Sequence, residues 1–120
     1  MDRRPASQSP EFELEYEFNQ NRTQISSGER RLLVAILRRA IWDFALYRDA
    51  DEGTEGYRLA VDAAGWIFWD GEETVDEDGR CTFMFVCEAL GLPPKKIRDA
   101  TMELSRESIS RINRRIETEV

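Results

Sequence analysis

The chain has 120 residues, 24 acids against 17 bases, a net charge of −7, no histidine and 41% apolar residues. This composition suits one small folded domain with a core of its own, without the commonest general base or metal ligand. Its longest apolar-looking stretches, residues 63–69 and 81–87, fall far short of the roughly twenty residues a membrane-spanning helix needs, so no membrane partner is expected.

Residues 1–10 are polar and hold Pro5 and Pro10, and no hydrophobic signal region follows Met1. They read as a flexible tail on a cytoplasmic protein. Residues 11–18 (EFELEYEF) then alternate acid and large apolar side chains without interruption. In an extended strand, Phe12, Leu14, Tyr16 and Phe18 would share one face and four carboxylates the other. The expectation is a single β-strand or extended arm over 11–18, packed on the domain's own surface or docked on a partner through those four apolar residues. Residues 1–25 would thus be tail and arm, and 26–120 one helical domain.

Ser26-Ser27-Gly28-Glu29 has the form of a capping box and predicts a helix from about Ser27 to about Tyr47. Leu33, Ile36, Leu37, Ala40, Phe44 and Tyr47 fall within a sector of roughly 100° and form the expected core stripe. Leu32, Val34, Ile41, Trp42 and Leu46 lie outside it, so the helix is apolar nearly all round and should be central or covered by a second copy of the chain. Arg31 and Arg38 share one face, read as solvated or as contacting phosphates. A second helix follows, with Tyr57, Ala60, Val61, Ala64, Ile67 and Phe68 at helical spacing, and it ends near Trp69-Asp70-Gly71.

Six carboxylates are concentrated in residues 70–79 (DGEETVDEDG). They belong to a 51–82 block of ten acids and two bases, without which the chain would carry +1. The acidity is therefore local and does not by itself exclude nucleic acid. A calcium loop fails here, because aligning Asp76, Asp78 and Gly79 with its third, fifth and sixth positions puts Thr74 first and Phe85 twelfth, where carboxylates are required. Glu72, Glu73, Asp76, Glu77 and Asp78 remain either a solvated loop or a surface for a basic partner.

Thr82 can cap a short helix carrying Phe83, Phe85, Val86, Cys87 and Leu90, with Gly91 placed to stop it and Pro94 suited to the first turn of the next helix. Over residues 85–102 the spacing of Cys87, Gly91, Leu92, Ile97 and Ala100 resembles the bihelical core of bacterial helix-turn-helix regulators. That resemblance covers about twenty residues and implies an exposed second helix presenting Lys95, Lys96, Arg98, Asp99 and Met102, with Thr101 at its margin. Such residues would contact phosphates and base edges, Arg98 being suited to guanine. Helix-turn-helix units also serve protein contacts alone, and that version stays open. The wider stretch with Trp66, Trp69 and residues 85–91 is similar to small proteins of bacteria and their phages.

Leu104, Ile109, Ile112 and Ile116 recur at helical spacing beside Arg106, Arg111, Arg114 and Arg115, the last three being candidate flanking nucleic-acid contacts. Whether 94–118 is one helix or two is open at Ser105–Ser108. Cys81 and Cys87, without histidine, make no common zinc site and read as two reduced thiols. No phosphate loop, nucleophile elbow or activated serine is present. The sequence thus predicts a mainly α domain of four or five helices without metal or cofactor, and without enzymatic activity. As a helix-turn-helix regulator it would bind DNA or a DNA-bound protein complex, as a homodimer. As an acidic interaction module or inhibitor, possibly phage-encoded, it would bind a basic surface on a nucleic-acid-processing partner.

Overall fold

A computed structural model describes residues 9–20 and 23–107, in which the chain is mainly helical and contains no strand. Five helices follow in order: α1 (Pro10–Phe18), α2 (Ser27–Tyr47), α3 (Glu55–Ile67), α4 (Phe83–Leu90) and α5 (Pro94–Glu103). No described helix is long and apolar enough to cross a membrane.

The expected arm over 11–18 is a helix instead. Ser9 caps it by accepting the Phe12 amide, Pro10 occupies the first turn, and Glu11 and Glu13 lie where helix N-termini favour negative charge. On a helix, an alternation of period two splits into pairs four apart. Leu14 and Phe18 face inward at 0% and 2% exposure, whereas Phe12 and Tyr16 point out at 44% and 50%. The four apolar residues therefore share no docking face, and the division at residue 25 separates nothing, since Leu14 and Phe18 are part of the common core. Arg30, from the first turn of α2, ties the end of α1 down by donating to the Phe18 and Gln20 carbonyls.

Ser26 caps α2 by accepting the Glu29 amide at 3.1 Å. The buried stripe is Val34, Leu37, Ile41, Phe44 and Ala45, rotated from the expected one. Ile36, Ala40 and Tyr47 sit half-buried on the flank that meets α3, where Gly56 is close enough that an added Cβ would stand 2.8 Å from the Tyr47 ring. The helix is central as expected, because α3 covers one flank while α4 and α5 pack elsewhere on it. In α3 the small residues Ala60 and Ala63, with Ile67, are buried, whereas Tyr57, Val61 and, just past the helix end, Phe68 are exposed.

Thr82 caps α4, and Gly91 ends it in the left-handed conformation at φ 69°. The Leu92 amide reaches back to the Cys87 carbonyl at 2.8 Å and the Gly91 amide to that of Glu88 at 3.1 Å, closing a Schellman turn. Three residues later Pro94 begins α5, and Cys87, Leu92, Ile97 and Ala100 are all buried along the joint. The last helix stops at Leu104, which is extended and buried, so the helix begun at Pro94 does not continue unbroken. Arg111, Arg114 and Arg115 lie outside the described residues.

Candidate functional site

Helix α5 follows a tight bend and exposes Lys95, Lys96, Asp99 and Met102, but each of its three cations has a partner within the chain. Lys95 Nζ lies 2.6 Å from Asp99 Oδ2 one turn on. Lys96 Nζ lies 2.9 Å from Oε1 of Glu17, a carboxylate of α1 with only 2% exposure. Burying a carboxylate is costly unless its charge is met, so the ion pair with Glu17 holds Lys96 against α1.

Arg98, expected to be exposed, is 19% exposed and serves the end of α3. Its Nε donates to the Ile67 carbonyl at 2.8 Å, Nη2 to that of Trp69 at 2.8 Å, and Nη1 to Asp70 Oδ1 at 2.6 Å. The guanidinium also lies 4.8 Å above the Phe83 ring. Helix C-termini leave carbonyls without amide partners, and a planar fork of donors satisfies several together. Arg98 thus joins α5 to the ends of α3 and the start of α4. Thr101 is fully buried and donates to the Ile97 carbonyl rather than standing at the margin of an open face. Met102 is exposed, and Arg48 anchors its carbonyl. Carboxylates of α1 and α5 flank the same face, since a groove beside it is lined by Glu13, Asp99 and Glu103 together with both lysines.

The acidic segment is a folded turn. Val75 bridges Cys81, and the Asp76 carboxylate accepts the amides of Asp78 and Arg80, both at 2.9 Å, as well as Arg80 Nε at 3.1 Å. The Arg80 amide and these other donors hold the Asp76 carboxyl below its ordinary range. The turn is pinned to the body by Thr82, whose hydroxyl donates to the Glu73 carbonyl, and by the Trp66 indole, which donates to the Cys81 carbonyl. Asp76 is therefore a structural member of the loop. Glu72, Glu73, Glu77 and Asp78 stand exposed, and Asp78 reaches Arg80 at 3.6 Å.

A cleft of about 390 Å³ opens between α2 and α3. Its apolar walls are Ile36, Ala40, Leu59, Ala63, Trp66 and Cys81, and Arg39, Asp43, Asp62 and Arg80 complete its lining. Burial raises the Asp43 carboxyl above its ordinary range, an effect that the nearby Arg39 partly offsets. The sequence reading passed over this site, although Asp43 is the sole acid between Glu29 and Asp49 on an otherwise apolar and basic helix. Across the fold, the Arg31/Arg38 face is divided: Arg38 pairs with Glu15 at 3.2 Å and lies over Phe18, while Arg31 is exposed.

Burial pushes the Cys87 thiol up to about 12, leaving it no thiolate character near neutrality. Among the described residues there is no group of three or more candidate metal ligands. Comparison with protein-family models, curated proteins and solved structures finds no match to this chain.

Proposed function

We propose that this chain is a non-catalytic protein-binding module that recognises a basic surface on its partner, with the 83–103 helix pair serving as internal scaffold. The carrying observation is that Lys95, Lys96 and Arg98 are engaged by Asp99, Glu17 and the end of α3. Phosphate binding depends on cations free to replace counterions, and these three would first have to leave their partners. By contrast, Glu72, Glu73 and Glu77 have no basic partner among the described residues. A rigid turn that presents carboxylates speeds and selects encounters with a positive surface.

The DNA-contacting reading draws on the bend at Gly91 and the buried Cys87, Ile97 and Ala100, which give α4 and α5 a compact bihelical form. Native co-purification separates the two. With nuclease present, the protein-facing reading expects a basic protein to be retained, then lost when Glu72, Glu73, Glu77 and Asp78 are replaced together by their amides. Recovery that vanishes with nuclease and ignores the amide variant would overturn it.

A further inference from the structure

Resting on that reading, we infer that the α2/α3 cleft is the anchor pocket of the partner site, taking one arginine side chain from the partner's basic segment. The size and lining favour this guest: about 390 Å³ with walls from Ile36, Ala40, Leu59, Ala63 and Trp66 suits an aliphatic stem. Two carboxylates, Asp43 from α2 and Asp62 from α3, belong to the same lining. Neither accepts a hydrogen bond from any described residue, so both have acceptor capacity for a guanidinium fork.

The cations beside them do not cancel this preference: Arg58, one turn before Asp62 on α3 and coupled to its charge, makes its own ion pair with Glu55 at 2.7 Å. Arg80 turns to its own loop, reaching Asp76 at 3.1 Å and Asp78 at 3.6 Å, so its charge is met there rather than by Asp43 or Asp62. Arg39 is exposed and is the one lining cation without a hydrogen bond or ion pair among the described residues. It lies one turn before Asp43 and only partly offsets the burial that raises this half-buried carboxyl, so a second cation at Asp43 would further favour its charged form. The Trp66 indole, fixed by its bond to the Cys81 carbonyl and by an edge-on contact with Phe83 at 5.6 Å, gives the pocket a rigid wall. Rigid aromatic walls beside a pair of charged acceptors are features of sites that hold arginine anchors.

The test uses the full chain and n-hexylguanidinium, which mimics an arginine head and stem, followed by amide and indole NMR shifts. Saturable shifts at Ile36, Ala40, Leu59, Ala63 and the Trp66 indole are expected, weakened about tenfold or more by D43N/D62N and strengthened by R39A. Equal binding of n-hexyl sulfate, or cleft shifts indifferent to D43N/D62N, would overturn the inference. Shifts confined to Glu72, Glu73 and Glu77 would overturn the cleft while leaving the acidic-module reading standing, whereas no shifts anywhere would count against both. Two other occupants overturn the assignment to a partner. The chain's own 108–120 segment would appear as cleft shifts caused, without probe, by R111A/R114A/R115A, and a second copy as cleft shifts that follow protein concentration.

Discussion

Replacing Arg98 by alanine separates a residue that holds the fold from one kept free for a ligand. The change removes three donors, strands the carbonyl of buried Ile67 and clears the face of Phe83. A hydrogen bond from a charged donor to a buried acceptor contributes about 1.5–3 kcal/mol. The cation over the ring adds about 0.5–1 kcal/mol. The Asp70 pair adds little, because that carboxylate is 83% exposed and water competes for it. Water likewise replaces much of the bond to the exposed Trp69. Together these give a loss of roughly 2–4 kcal/mol, a large part of the roughly 5–15 kcal/mol typical of a domain. With a urea slope of about 1–3 kcal/mol per molar, the midpoint should fall by on the order of 1 M or more at unchanged slope. R98K, with one ammonium in place of the fork, should fall between the two. An unfolding free energy for R98A within about 0.5 kcal/mol of the parent would refute the capping role, since that is the scatter of an ordinary surface substitution.

Lys96→Ala leaves Glu17 buried beside no lysine and should cost about 2 kcal/mol in urea unfolding, with E17Q/K96Q recovering part of the loss. A parent-like K96A would show that Glu17 is satisfied by its other contacts. Leu14→Ala should cost about 3 kcal/mol and Tyr16→Ala under about 1 kcal/mol, an asymmetry that a strand with one shared apolar face would not give. For Cys87, the folded pKa of about 12 lies above the reference value of 9.0, so the unfolded chain loses its proton first. Stability should therefore decline as pH rises above about 9 and keep falling toward about 12, and a C87A variant should show a smaller decline. In native protein at neutral pH, a thiol reagent should modify half-buried Cys81 well before Cys87; equal rates would contradict the burial.

Capping chemistry was readable from sequence: Ser26, Thr82, Gly91 and Pro94 mark ends that the structure places within a residue or so, because caps act through local backbone groups. The N-terminal segment was misread because alternation over eight residues fits a strand, while Ser9-Pro10 followed by Glu11 and Glu13 carries the helix signal. The core stripe of α2 was rotated because periodicity ranks apolar residues without saying where neighbours sit. Ile36 and Ala40 look like core residues yet wall a cleft. Arg98 was the least legible, since its partners Ile67, Trp69 and Asp70 lie about thirty residues away and nothing local to α5 reveals them. The cleft was missed for the same reason, its carboxylates coming from two helices.

The sharpest discrimination comes from fluorescence anisotropy at low ionic strength, where counterion release favours any nucleic-acid contact, titrating the full chain against a labelled arginine–leucine peptide and a labelled random-sequence duplex. Saturable binding of the peptide, weakened by D43N/D62N and by amides at Glu72, Glu73 and Glu77, with no saturable binding of the duplex, is the expected result. Saturable, salt-sensitive binding of the duplex that is lost in K95A/K96A, with the peptide left unbound, would contradict it.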